Sequence, residues 1–219
     1  LILSVLPVIE ELFTPPHLPR TLSLVLAYFA LIISLLTRPI GSSLFGYYAD
    51  RIGRRRVLLI TIIGFGIVTF LIGLLPTYAQ VGISALILLY IIRFIQGIFV
   101  GGEYAGGNPY ALEYTPQNRR GLVSGILAAL FDAGVLLSSF VVFILSSLIP
   151  GQGFISYGWR IAFFTGIVPA LFALYIRLSV PESRIWERKI QETRTKVLNI
   201  NVSPWLYVAT SLLMAGFLY

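Results

Sequence analysis

The chain has 219 residues, of which 57% are hydrophobic and 11% charged, and its mean hydropathy is +0.88. A water-soluble domain carries about 25% charged residues, so this composition excludes an ordinary soluble enzyme, a disordered chain and a nucleic-acid-binding domain. There are no cysteines, hence no disulfide framework or thiolate chemistry, and the net charge of +7 implies an acidic partner only if the basic residues share one solvated face.

A membrane-crossing helix needs about 20 mostly apolar residues to traverse about 30 Å of hydrocarbon. On that template the segment 1–13 is too short to cross and reads as the end of a helix that starts upstream. The chain begins at Leu1 and its single Met is Met214, so the sequence is expected to be part of a longer protein. The stretches 22–49, 57–75, 82–108, 122–149 and 160–180 are each long enough to span, and 204–219 reads as the start of one more helix. Pro and Gly punctuate the boundaries at Pro15-Pro16, Pro76, Pro116, Pro150-Gly151 and Pro181. No period-two alternation points to a barrel. The expected fold is an all-α membrane protein with five complete helices and a partial helix at each end.

The basic residues are sorted by side. The turn at 50–56 carries Arg51, Arg54, Arg55 and Arg56, the turn near 113–121 carries Arg119 and Arg120, and 177–203 carries Arg177, Arg184, Arg188, Lys189, Arg194 and Lys196. Those twelve stand against Arg20 and Arg160 on the other side. An excess of Arg and Lys marks the cytoplasmic loops. The 50–56 turn and the polar, mixed-charge segment 187–203 are therefore expected in the cytoplasm of a cell in whose membrane the chain sits. The positive charge reports orientation in a lipid bilayer, and nucleic acid is excluded as a partner.

Between the second and third apolar segments stands Gly46-Tyr-Tyr-Ala-Asp50-Arg51-Ile-Gly53-Arg54-Arg55-Arg56. Orientation alone would account for the arginines but not for Gly46, Asp50 and Gly53. The string resembles the loop signature of the major facilitator superfamily, G-x-x-x-D-R-x-G-R-R-R. Arg93-Phe-Ile-Gln96-Gly97-Ile-Phe-Val-Gly101 resembles the superfamily's R-x-x-x-G-x-x-x-G pattern. Glu113-Tyr-Thr-Pro116-Gln-Asn-Arg119-Arg120-Gly121 is similar to the E-x-x-P-x-x-x-R-G loop of sugar porters and metabolite–proton symporters. Pro181-Glu182-Ser183 is similar to their P-E-S-P-R motif, with Arg184 where that motif has Pro. Thr37-Arg38-Pro39-Ile40-Gly41, Gly101-Gly102-Glu103-Tyr104 and Trp159-Arg160 turn the resemblance towards the metabolite symporters.

The resemblance implies two six-helix bundles with substrate held between them near the midplane. Residues 1–186 would be the N-terminal bundle, 187–203 the cytoplasmic linker and 204–219 the start of helix 7, with the C-terminal half of the same chain as partner. It further implies that Gly46, Asp50, Arg51, Gly53, Arg54, Arg55, Glu113, Arg120 and Glu182 form a cytoplasmic gating network that latches the bundles while the cavity faces outward; static packing is the alternative. The expected activity is proton-coupled symport of a small polar metabolite, an organic anion favoured. Sugar or phosphate uptake, or export of a drug or metabolite, are the alternatives. No enzyme activity, cofactor or metal is expected, and His17, alone in an outer loop, reads as a solvated residue.

Within the spans sit Arg38, Arg93, Glu103 and Asp132. A charge at the bilayer centre costs about 2.5–3.5 kcal/mol on insertion scales, so each is a functional candidate. Arg38 lies about 18 Å along a helix from Asp50, and Asp132 about 16 Å from Gly121, placing both near the midplane. Arg93 and Glu103 are about 15 Å apart on one helix and cannot pair directly. Glu103 is the candidate proton carrier, a structural salt bridge being the alternative. Relatives keep an acidic residue after the paired glycines. Asp132 lies one turn beyond Ala128, where relatives carry a substrate-binding Gln, and is a candidate for substrate, cation or a second proton. Arg38 and Arg93 suit bidentate recognition of a carboxylate, or else structural pairing. Gln96, Tyr104 and Asn108 are candidate cavity liners. Gly97, Gly101, Gly102 and Gly106 are expected to permit close helix packing.

Overall fold

A computed structural model of the chain describes residues 4–179 and 181–182. The linker at 187–203, the start of helix 7 at 204–219, Ser183 and Arg184 lie outside the described residues. The described residues form helices and no strand: α1 (Leu6–Phe13), α2 (Arg20–Leu36), α3 (Arg38–Ile52), α4 (Arg54–Leu74), a single turn α5 (Tyr78–Val81), α6 (Ser84–Glu113), α7 (Arg120–Leu148), α8 (Trp159–Thr165) and α9 (Ile167–Ser179). They make five stretches long and apolar enough to cross a membrane: Arg20–Ile52, Arg54–Leu74, Ser84–Glu113, Gln117–Leu148 and Phe154–Ser179.

Three features differ from the hydropathy reading. The stretch 22–49 is two helices meeting at Thr37. Pro39 has no N–H to return to Leu35, and this loosens the ladder there, while Thr37 N–H still reaches Ile33 O and Gly41 N–H reaches Thr37 O. The α6 helix runs on to Glu113 through Asn108 and Pro109, because packed neighbours allow Pro inside a membrane helix. The last span starts at Phe154, in a wide turn over Phe154–Gly158 that feeds α8, ahead of the apolar run expected to start at 160.

The α6 helix is the hub, packed against α2, α3 and α4. Its contact with α2 and α3 is backbone on backbone. A Cβ on Gly97 would overlap Thr37 and the Ser34 carbonyl; one on Gly101 would overlap the Arg38 carbonyl; and one on Gly41 would overlap the Ile98 carbonyl. Gly102 and Gly64 instead receive the faces of Phe45 and Phe99, whose rings stack with centroids 5.9 Å apart. Small residues let membrane helices approach where lipid gives no hydrophobic drive to association.

The end of the bundle away from Gly53 holds the continuous apolar core. Val5, Ile9, Phe13, Ile72, Leu89, Trp159 and Phe163 are all buried there. Phe13 and Trp159 meet edge to face at 5.7 Å. Arg160 lies over the Trp159 ring at 4.6 Å and donates to Gly73 O at 2.7 Å, closing the carbonyl end of α4, where a cation is favoured. By contrast α7 is the least enclosed span. Val142 is its single buried residue, and Leu130, Leu136, Phe140 and Phe143 are exposed. In a bilayer such faces meet lipid or more protein.

Candidate functional site

At the Gly53 end the sequence motif becomes a joint between helices. Gly53 separates α3 from α4 with φ 106, a left-handed conformation that favours glycine, and a Cβ there would collide with the Glu182 carboxylate. Gly46 is less constrained, since its Cβ would meet Ala105 Cβ at 3.8 Å, an ordinary contact. Arg54 Nη1 pairs with Glu113 Oε1 at 2.6 Å, tying α4 to α6. Arg55 does two things. Its backbone N–H donates to Glu182 Oε1 at 3.0 Å, and its guanidinium donates to Leu178 O at 2.6 Å and Arg177 O at 3.4 Å. Glu182 thus places a carboxylate at the N-terminus of α4 while Arg55 places a cation at the C-terminus of α9, each where the helix dipole favours it.

Tyr114 donates to Glu182 O at 3.0 Å and Tyr110 donates to Pro181 O, so α6 also holds this segment. Arg51 lies over the Tyr47 ring at 4.0 Å, and Asp50 is exposed beside it. Arg120, expected in the same network, is exposed at the start of α7 and makes no ion pair among the described residues. It sits on the least packed helix, beyond the Arg54–Glu113 and Arg55–Glu182 contacts. These contacts run within one bundle, joining α4, α6 and α9. Removing the Glu182 carboxylate (Glu182→Ala) is expected to cost about 1 kcal/mol, as loss of a helix N-terminal cap does. Arg55→Ala should cost a similar amount, and thermal unfolding of the double variant should show less than the sum, because the two residues act on the same pair of helix ends.

Deeper in the bundle Arg93 is buried, 7% exposed. Its Nε donates to Ala30 O at 3.0 Å, Nη2 to Ser34 Oγ at 2.7 Å and Nη1 to Gln96 Oε1. Gln96 Nε2 continues to Thr69 Oγ1 at 2.8 Å. The chain of bonds crosses α2, α6 and α4 and meets the guanidinium with neutral acceptors. Arg38, half-buried at the start of α3, is near enough for the two positive charges to interact.

The remaining candidates separate from this cluster. A cleft of about 610 Å³ opens between α4, α6, α7 and α9, and Glu103, Tyr104 and Asn108 line it together with Arg55, Tyr110 and Arg177. Arg93 and Gln96 do not line it. Their polar atoms are taken up by Ala30, Ser34 and Thr69 and by each other. Glu103 Oε1 stands 3.6 Å from Arg177 Nη2, an ion pair between α6 and α9. Tyr104 packs on Phe131 of α7 with centroids 5.8 Å apart. Asp132, next to that Phe, is exposed on α7 and does not line the cleft, so it is not brought together with Glu103.

Arg177, Tyr110 and Tyr114 were not singled out from sequence as site residues. By its place in the sequence Arg177 is one of the orienting charges. The tyrosines are spaced four residues apart, Tyr110 in the last turn of α6 and Tyr114 just after its end, beyond the span 82–108 read from hydropathy.

Five stretches long and apolar enough to cross a membrane, with ionic groups inside them, define a multi-helix membrane protein. The chain belongs to the family described as Sugar (and other) transporter, whose profile matches residues 16–204. It is 36% identical over 181 residues to the putative transporter YdfJ of Escherichia coli K12, covering 83% of this chain and 42% of that one. It is also 36% identical over 174 residues to the shikimate transporter of the same organism, covering 80% and 40%. The proline/betaine transporter of Salmonella typhimurium is 37% identical over 160 residues, covering 73% and 32%. The chain therefore spans less than half the length of these relatives.

Among solved structures, a double-Trp variant of XylE superposes with a TM-score of 0.76 at 26% identity, covering 84% of this chain and 41% of that one. The inward-open xylose transporter XylE from E. coli gives 0.74 at 24%, covering 99% and 51%. The fold is that of an N-terminal major facilitator bundle, the chain is an integral multi-pass membrane protein, and its family and relatives are transporters rather than enzymes.

Proposed function

We propose that this chain is the N-terminal half of a proton-coupled symporter that moves a small carboxylate-bearing metabolite by alternating access. The observation that carries the reading is Glu103. It is a carboxylate within a membrane span, on the wall of a cleft, held among the described residues by one ion pair at 3.6 Å, to Arg177. A carboxylate in that setting can exchange its cationic partner for a proton as the cleft wets and closes, whereas a residue locked by several short bonds cannot. Arg93 and Arg38 supply positive charge in the same bundle, and the names of the relatives include proline, betaine, ectoine and shikimate, all of which carry a carboxylate. That chemistry favours an organic anion or zwitterion over a neutral sugar.

In this reading residues 1–186 are the N-terminal bundle, 187–203 the linker and 204–219 the start of helix 7. The excess of arginine puts the Gly53 end in the cytoplasm, and substrate lies between this bundle and the C-terminal half. Asp132, exposed on α7, would face that second half or the substrate path. The test is uptake into proteoliposomes under an imposed pH gradient with proline, glycine betaine, ectoine, shikimate, xylose and phosphate as probes. Uptake of a carboxylate probe that rises with the inward proton gradient is expected. Indifference of every probe to the gradient would overturn the symport reading.

Asp50 belongs to the same proposal. It lies at the exposed end of α3, next to the joint, where a carboxylate can make and break contacts as the bundles rock. Asp50→Asn is expected to lower the turnover rate with a smaller effect on the KM of the transported probe. Unchanged initial rates would mean that Asp50 has no gating role.

A further inference from the structure

The cleft that holds Glu103 is lined by helices of this one bundle, whereas the proposed substrate route runs between two bundles. Its wall starts at the Gly53 end with Arg55 and Ala111 and reaches inward to Val100 and Phe65. Ala111 and Val100 are eleven residues apart on α6, about 16 Å of helix, and Glu103 lies about 12 Å inward of Ala111. We propose that this cleft is a private proton path that connects Glu103 to the cytoplasm within the N-terminal bundle, separate from the substrate route. The inference rests on the reading of Glu103 as the proton carrier and of the Gly53 end as cytoplasmic.

The polar groups that line the cleft with Glu103 fit such a path. From α9 comes Arg177, from α4 Arg55, and from α6 itself Tyr104, Asn108 and Tyr110, whereas α7 contributes only Leu127, Leu130 and Phe131. Arg55, Tyr110 and Asn108 thus stand on the Gly53 side of Glu103, whereas Leu58 and Phe65 of α4 and every α7 residue of the lining are apolar. In the release step the O–H bond of the protonated Glu103 breaks and cytoplasmic water entering the cleft accepts the proton. The carboxylate left behind pairs with the Arg177 guanidinium, as seen at 3.6 Å. Arg177 therefore stabilises the proton-free state and is a positioning residue for release.

Gly107 offers a way to close the path. A Cβ there would stand 3.7 Å from Arg177 Nη2 and 3.9 Å from Leu58 Cδ2, so Ala fits without strain and a longer side chain enters the cleft between them. Two measurements on the full-length transporter test the proposal. The first is labelling of Gly107→Cys with a membrane-impermeant cationic thiosulfonate, read over the background of the unsubstituted protein. Fast labelling in inside-out vesicles and slow labelling in right-side-out vesicles are expected. No reaction from the cytoplasmic side, or equal reaction from both sides, would overturn the path.

The second compares Gly107→Leu with Gly107→Ala in proteoliposomes, using proline, glycine betaine and shikimate as probes. Gly107→Leu is expected to lower the initial rate of pH-driven net uptake about tenfold, a barrier rise of about 1.4 kcal/mol, and to leave counterflow exchange intact. Gly107→Ala should behave as the parent does. A parallel loss of net uptake and exchange in Gly107→Leu, or no loss in either, would overturn the proposal. Glu103→Gln separates the two levels of the reading. If it abolishes the response to pH while Gly107→Leu does not, the path is wrong and the carrier right; if Glu103→Gln responds normally, the carrier assignment itself fails.

Discussion

Replacing Glu103 by Gln is expected to abolish pH-driven accumulation while counterflow exchange continues. With one proton per cycle, each unit of pH gradient supports about tenfold accumulation, and that factor should vanish in the variant. The substitution preserves shape and leaves an amide oxygen able to accept from Arg177, so it removes titration more cleanly than any other change at this position. Collapse of the fold is not the expected outcome. The ion pair is long at 3.6 Å, and the Gln amide is neutral, so the variant leaves no uncompensated carboxylate in the span. Thermal unfolding close to that of the parent, together with loss of the pH response, is the signature of a proton carrier. Normal accumulation in Glu103→Gln would leave the residue as a structural salt bridge.

Gly101→Val is expected to have the opposite character, with loss of the folded protein before any question of transport arises. The position faces the Arg38 carbonyl and the Ser42 amide nitrogen, so the added atoms would meet backbone, which cannot change rotamer. Inserting methyl groups into a packed interior costs about 1–3 kcal/mol when side chains can move aside. Here α3 and α6 must separate, and a cost of at least about 3 kcal/mol is expected. The readout is the monodisperse fraction after detergent extraction and its unfolding temperature. Gly46→Ala serves as the comparison on the same pair of helices. Its Cβ would stand 3.8 Å from Ala105, and its stability should be close to that of the parent. Two glycines of similar appearance in the sequence thus differ in consequence because one meets a carbonyl and the other a methyl.

The joint at Gly53 shows how far local pattern carries. Gly46, Asp50, Gly53 and the three arginines that follow mark a turn between two spans, and the family resemblance rests on them. Their partners were only half legible. Arg54 with Glu113 joins residues that the sequence had already placed at the same end. Arg55 was expected in a charge network, but its role as a cap on the last carbonyls of α9 depends on where that helix ends. Arg120 shares the same loop chemistry and yet stands apart, since α7 packs least closely on the rest.

The intramembrane charges divide in the same way. Their cost in a bilayer made Arg38, Arg93, Glu103 and Asp132 conspicuous from sequence alone. Nothing in their spacing indicated that Arg93 would be satisfied by Ala30, Ser34 and Gln96, that Glu103 would meet Arg177 from a helix more than seventy residues later, or that Asp132 would lie on an exposed helix face.

Apolar run length and the distribution of arginine are properties of the chain taken one segment at a time. They determine the number of spans, the expected orientation and the presence of charges that need company. Which helix meets which face, and so which charge is locked and which remains on an open cleft, follows from glycine-to-carbonyl approaches and from where α2, α6 and α9 bend or end. Those contacts join residues far apart in sequence, and helical periodicity is silent about partners on another helix. The sequence determined that Glu103 needs a partner, and only the packing of α9 on α6 decided that it would be Arg177.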